Sequence, residues 1–388
     1  MKDIFALLIA CAALPLGAQT QPAGSGRPAA EPSLKERYED LGLVFQDKQA
    51  KGLQELWVLG RYHGHYHDTS GVDRSDSAFE SRRVRLGFQA RMYDHLTLHA
   101  QAISGSDFEP AYNGFTELWA RWEFDPALQL TVGQQKHRFT HDRNVSSRYI
   151  SFMERSMFTN MTGLDYTPAV TLSGRVGKAD YYAGVFSNLA ERDMWDSFTE
   201  LHSGWSALAA LTYDLGHLGG ADSVAFYGSL LHSEAKAGAT NLTRFDDAAS
   251  AALIVTEGPV AIVTEVTAGF GGSKGDAIGL NLQPSIFLTD KLELVSRYQL
   301  ASASMTGGLR SQRRYESVAG LPNGEHYQAT YLGLNYYVAG HRLKLLTGVE
   351  HARMNNQDAF TVFAGVRMFF GPHSNAPYPG NKLLKGIW

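Results

Sequence analysis

From about Leu53 to Phe370 the chain alternates apolar and polar residues in short runs, and this alternation limits the fold more than any other feature. In 79–92, Val84, Leu86, Phe88, Ala90 and Met92 take one face, while Arg83, Arg85, Gln89 and Arg91 take the other. Near the end, Phe360, Val362, Ala364, Val366, Met368 and Phe370 share a face opposite Thr361, Gly365 and Arg367. Period two is the signature of β-strands with two chemically different faces. About sixteen such segments can be counted, starting with 52–66 and 79–92, each roughly 9 to 14 residues long. That is the length a tilted strand needs to cross a bilayer, whereas strands of a soluble sandwich average about 5–6 residues.

The connections alternate as well. Those after even-numbered segments are short, as at Tyr93-Asp94, Asp125-Pro126, Gly258, Thr289-Asp290 and Ala339-Gly340. Long ones follow odd-numbered segments, notably Phe139–Thr167, Leu189–Ser203 and Ala303–Gly324. Short turns at one end, long loops at the other and an even strand count predict an all-β chain: a transmembrane antiparallel barrel of about 16 strands. No run of 18 apolar residues follows the first segment, so no spanning helix is expected.

The N-terminus agrees with export. Residues 1–18 read as a signal peptide, with Lys2, an apolar run from Ile4 to Leu16 and small residues at Gly17-Ala18. The single cysteine, Cys11, lies in that run, so the mature chain is expected to have no disulfide. Leu8-Ile9-Ala10-Cys11 also fits a lipoprotein cleavage box, although the apolar run continues past it. Residues 19–51 form a Pro/Gly/Ala-rich periplasmic lead-in with a short helix over Leu34–Leu41, 52–370 the barrel, and 371–388 a proline-containing tail. A net charge of −4 gives no reason to expect nucleic acid.

With the apolar faces towards lipid, the other faces line a lumen. Arg61, Arg83, Arg85, Arg91, Arg121, Arg297, Lys344 and Arg367 then point inward, against Glu117, Glu123, Glu265, Glu293 and Glu350. Such a basic surplus favours anions, and part of it is expected to pair across strands. The densest basic stretch is Gly133–Ser156, with Lys136, Arg138, Arg143, Arg148 and Arg155 among serines and threonines. The fifth segment breaks phase there: Leu128, Leu130 and Val132 share parity with Lys136 and Arg138. Either a bulge flips the strand near Gly133 or the chain leaves the wall, and both turn Lys136 inward.

His63, His65 and His67 share one face beside Asp68, a spacing a metal could join, but a polar lumenal stripe near the outer rim is the preferred reading and no metal or cofactor is expected. No nucleophile elbow, phosphate loop or zinc-protease motif occurs, although a His/Ser pair brought together by folding would be invisible in the sequence.

Three stretches carry a family resemblance. Gly133-Gln134 with Lys136 leads through Ser146-Ser147 to Phe152-Met153-Glu154-Arg155-Ser156; FLTDKLELVSRYQ starts at Phe287; LGLNYYVAGHRLKL starts at Leu332. With the closing strand, these make residues 42–370 resemble the phosphate-selective porin O and P family. The resemblance implies a sixteen-stranded trimeric porin of the Gram-negative outer membrane, not an enzyme, whose long third loop folds inward as a basic constriction. By motif position it points to Lys136 and Arg155 as anion-contacting or constriction-bracing residues, with Arg148 beside them. Arg83 and Arg85 rest on the facing argument alone. Two departures stand out: His137-Arg138 replaces the proline and second aromatic after the lysine, and the chain continues past Phe370. The expected function is passive diffusion of small anions, phosphate or polyphosphate above all; a general or differently selective porin is the alternative.

Overall fold

The computed structural model describes Tyr38 and residues 40–162, 165–188, 204–235, 244–321 and 323–372. The signal peptide, Cys11, most of the lead-in and the tail beyond Pro372 lie outside them. The strands are β1 Leu43–Gln46, β2 Leu53–Ser70, β3 Ser75–Met92, β4 Leu96–Ile103, β5 Phe115–Asp125, β6 Leu128–Lys136, β7 Tyr166–Val176, β8 Ala179–Ser187 and β9 Gly204–Gly216. They continue as β10 Ser223–Ala235, β11 Asp247–Glu257, β12 Val260–Phe270, β13 Ala277–Thr289, β14 Leu292–Ala303, β15 His326–Tyr337, β16 Leu343–Met354 and β17 Gln357–Phe370.

Each of β2 to β17 pairs antiparallel with its sequence neighbour, and β17 closes on β2 from Phe370↔Gly60 to Phe360↔Ser70. The result is a closed sixteen-stranded antiparallel barrel, which leaves no unpaired edge facing lipid. No described helix is long and apolar enough to cross a membrane. The remaining strand, β1, was expected to be part of an irregular lead-in. It pairs with the start of β2 through Leu43↔Trp57 and Gln46↔Glu55. Gly371 N–H donates to Leu41 O, so β1 takes up the edge of β2 where β17 ends.

Alternation is realised strand by strand. In β15 exposed and buried residues alternate without a break: Leu332, Leu334 and Tyr336 face out, Tyr331, Asn335 and Tyr337 face in. Leu86, Phe88, Leu230 and Phe360 are likewise exposed on the outer face. The aromatic pairs at strand ends divide by the same rule, because adjacent residues point to opposite faces. Tyr336 is exposed and Tyr337 buried, so only one member of such a pair can belong to an outer girdle.

The first hairpin is longer than the alternation predicts. Strands β2 and β3 run on to Ser70 and back from Ser75, leaving a turn of only 71–74. His63, His65 and His67 therefore sit within a strand and are buried, not at its rim.

The phase break in β6 is also settled. Register with β7 is unbroken through Lys136↔Tyr166, and pairing with β5 runs in step through Gln134. There is neither a bulge at Gly133 nor an early departure. Gly133 instead adopts φ +122, and a Cβ there would lie 2.3 Å from Leu118 O. Only glycine takes that backbone at no steric cost.

Candidate basic cavity

Residues 137–165 link β6 to β7 and carry two short helices, α1 His141–Asn144 and α2 Met157–Met161. Inward side chains on both arcs of the barrel bond this segment. From the β12–β17 arc, Arg367 Nη1 donates to Ile150 O at 2.7 Å and its Nη2 to Phe152 O and Met153 O at 2.6 and 2.7 Å. Lys344 Nζ donates to Ile150 O, and Arg297 Nη1 to Glu154 O, each at 2.7 Å. Glu265 accepts from the backbone N–H groups of His141 and Asp142 at the start of α1. From the other arc, Arg61 Nη1 donates to Ser147 Oγ at 2.8 Å.

The FMERS run is the centre of this attachment. The Phe152 ring meets Tyr331 edge-on at 5.4 Å and lies 4.8 Å under the Arg297 guanidinium. Met153 packs with Val295, Leu346 and Phe363. Glu154 accepts from Arg82 Nε at 2.6 Å and lies 3.6 Å from Arg83. Burial would raise its pKa, but the charges of Arg82 and Arg83 hold the carboxyl well below the usual range. Arg155 Nη2 donates to Val145 O at 2.7 Å, and Ser156 caps α2 by accepting from Thr159 N–H.

This explains which predicted lumenal cations are free. Arg297 forms a fully buried pair with Glu350 at 3.0 Å, and Lys344 and Arg367 are taken up by loop carbonyls. Lys344 and Arg367 stand directly opposite each other across β16 and β17. Two adjacent inward cations with no acid between them require an acceptor elsewhere, and that signal was readable in the sequence.

On the side towards the short turns, a cavity of 1140 Å³ opens below the segment. Its lining carries seven Arg or Lys side chains against five Asp or Glu, so positive charge prevails in a chain that is net negative. Arg61, Arg121, Lys136, Arg138 and Arg148 line it and make no ion pair with a carboxylate among the described residues, although Glu117 in the same lining acts on Arg61, Arg121 and Lys136 through its charge. Lys136 Nζ donates to Asn144 O at 3.2 Å. Arg148 reaches Pro372 O at 3.5 Å and lies over the Phe369 ring. Buried donors without an acceptor include Nε of Arg61, Arg85 and Arg148, Nη1 of Arg155, and Nε and Nη2 of Arg143. His141 adds no charge at neutral pH, since burial lowers its pKa to about 4.

The predicted residues thus separate into two groups. Lys136, Arg138, Arg148 and Arg155 meet at the cavity, and Arg155 also braces the segment through Val145 and Asp142. Arg83 and Arg85 are buried behind it: Arg83 serves Glu154, and Arg85 donates to Tyr166 Oη at 3.0 Å. Arg85 stands directly opposite Arg61, so the two repel across the strands. The histidine stripe is engaged within the wall, His67 with Asp76 at 2.7 Å and His63 beside Arg83. Among the described residues no group of three or more His, Cys, Asp or Glu is placed to hold a metal ion.

The barrel resembles solved outer-membrane proteins. Against OprB of Pseudomonas putida the TM-score is 0.58 at 9% identity, covering 82% of this chain and 94% of that one. For OmpT of Vibrio cholerae the values are 0.56 and 14%, covering 84% and 100%. For Salmonella typhi OmpF, solved with daunomycin, they are 0.55 and 9%, covering 81% and 98%. At such identities the likeness speaks for the fold alone. No curated protein matches the sequence. Residues 58–229, which include Lys136 and the whole FMERS run, match the family described as phosphate-selective porin O and P, and the chain is an outer-membrane β-barrel of the porin kind.

Proposed function

We propose that this barrel conducts small anions passively across the outer membrane, with residues 137–165 folded into the lumen as its constriction. The observation that carries the reading is the set of five cationic side chains, Arg61, Arg121, Lys136, Arg138 and Arg148, facing one cavity with no ion pair to a carboxylate among the described residues. A surplus of positive charge beside a low-dielectric wall raises the local anion concentration, and guanidinium groups replace part of an oxyanion's hydration shell. Because each cation holds the ion only weakly, release remains fast. Phosphate or polyphosphate is the best substrate on the family match, and a trimer the best assembly.

A channel is favoured over an enzyme by the state of the buried His/Ser pair found among the described residues. His137 Nε2 lies 3.2 Å from Ser206 Oγ, but both residues are fully buried, the imidazole is stacked on Phe186, and neither lines the cavity. No substrate reaches that hydroxyl. Purified protein in planar bilayers, with phosphate titrated against chloride, tests the proposal. Anion selectivity with block of chloride current by phosphate is expected; cation selectivity would end it, and selectivity without phosphate block would leave a general anion porin.

A further inference from the structure

Four of the five carboxylates that line the cavity are engaged by hydrogen bonds. Asp142 accepts from Ser156 N–H at 2.8 Å and lies 3.8 Å from Arg155, and Asp180 holds Arg175 through two bonds of 2.7 Å. Asp214 accepts from Gly216 N–H at 2.8 Å, and Glu293 from Asn335 Nδ2 and Tyr337 Oη at 3.0 and 2.5 Å. Glu117 on β5 is the exception. It accepts no hydrogen bond among the described residues, and the basic atom that comes closest among them, His99 Nε2, is 3.9 Å away. Its side chain remains 25% exposed to the lumen, and its charge acts on Arg61, Arg85, Arg121 and Lys136. Gln101 stands directly opposite on β4, fully buried, and neither atom of its amide has a partner among the described residues. The same holds for Nε of Arg61 and Arg85 and for Nε2 of His99. A carboxylate that braces a barrel wall accepts hydrogen bonds, as Glu154, Glu265 and Glu350 do here. Glu117 braces nothing in this way, so its place among the cations calls for another account.

We infer that Glu117 is a specificity-determining residue, a counter-ion fixed in the wall that competes with the permeating anion for Arg61, Arg121 and Lys136 and thereby sets how long that anion stays. The inference rests on the anion-channel reading and deepens it. Conduction needs binding that is favourable on entry and weak enough for exit. Guanidinium and ammonium groups with no anion among them would hold a multivalent oxyanion too long. Because Glu117 accepts no hydrogen bond, none has to break when an anion enters. Its repulsion grows with the charge on the ligand, so it penalises a phosphate dianion more than chloride.

The test measures block of chloride current by inorganic phosphate through the purified full chain in planar bilayers, at mildly alkaline pH, where phosphate is largely a dianion. Glu117→Gln keeps the shape of the side chain and removes its charge. It is expected to lower the phosphate concentration for half block about tenfold and to lengthen each blocked interval, while chloride conductance changes much less. Glu117→Asp, which keeps the charge, should stay close to the unmodified protein. In a Lys136→Gln background the gain from Glu117→Gln should shrink, because one of the cations it competes for is gone. Heat-modifiable gel mobility checks the barrel, and Glu117→Ala takes the place of Glu117→Gln if the latter misassembles. Block that is unchanged or weaker in the charge-free variant overturns the inference while the anion-channel reading stands. Absence of block in every protein also overturns it, and cation selectivity of the unmodified chain would end the channel reading as well.

Discussion

Arg367 on the last strand donates to the backbone carbonyl of Phe152 at 2.6 Å, joining residues 215 positions apart in sequence. The same guanidinium also serves Ile150 and Met153, so one side chain fixes the middle of the segment between β6 and β7.

Removing it should release that segment. Charge-assisted bonds contribute roughly 1.5–3 kcal/mol each, and the abandoned carbonyls would be buried without donors. Arg367→Met is therefore expected to weaken docking by about 2–5 kcal/mol. Single-channel records should show larger and noisier openings, with the barrel still folded by heat-modifiable gel mobility. Wild-type noise would mean that Arg297 and Lys344 suffice.

Charge reversal at the cavity should change selectivity. Lys136→Glu replaces an unpaired cation by an anion among Arg61, Arg138 and Arg148. The anion-over-cation permeability ratio should fall several-fold in the zero-current potential across a KCl gradient, and less at high salt, where the Debye length is about 3 Å. Arg155→Glu should lower the ratio too, with added current noise because Arg155 braces Val145. Unchanged potentials in both would remove this cavity from the selectivity argument.

Acid should leave the Glu154 latch intact over the ordinary range. Its carboxyl pKa is depressed, because Arg82 and Arg83 outweigh burial. A depressed group stabilises above its unfolded pKa, and this is lost only as pH falls through the lower folded value. The window lies below the normal carboxylate range. Conductance noise from this latch should stay flat at mildly acidic pH and rise in Glu154→Gln at neutral pH; a rise in the unmodified protein near the ordinary carboxyl pKa would contradict the assignment.

Alkali should act on the other large loop. Residues 304–325 place Glu316 in full burial, where it accepts from Tyr327 Oη and Gln312 N–H at 2.7 Å each. Burial and the charge of Glu350 raise its pKa despite those bonds. A raised carboxyl stabilises below its unfolded pKa and loses that contribution as pH rises through the folded value. Hydrogen exchange in 304–325 should speed up with rising pH, and Glu316→Gln should flatten the profile.

Glycine 133 offers a backbone test. Its φ of +122 and the 2.3 Å approach of Leu118 O make Gly133→Ala costly, by about 1–3 kcal/mol for the conformation alone. A lower yield of folded barrel and weaker phosphate block are expected, since Lys136 follows three residues later; a variant that folds and blocks normally would show that the glycine backbone is not needed there.

The barrel itself was written locally. Strand length, parity and the alternation of short and long connections are set within a dozen residues, as His326–Tyr337 shows residue by residue. Parity even identified Arg61, Arg121, Arg297, Lys344 and Arg367 as inward. It broke at Gly133, where the strand pairs on both sides without the expected bulge or early departure, and at β2 and β3, whose polar ends read as loop but pair to Ser70↔Ser75.

What tertiary structure alone decided is the state of the inward charges. Arg367 and Arg61 look alike in sequence, yet one is consumed by the carbonyls of Ile150, Phe152 and Met153 while the other faces the cavity and donates to the Ser147 hydroxyl. The difference depends on where a segment from residues 137–165 comes to rest against strands two hundred residues away. The amino-acid pattern determined by itself that a closed barrel with a basic interior would form, because alternation and strand length act within each strand. Which of its cations stay free for a ligand depends on long-range carbonyl acceptors, and no local pattern encodes them.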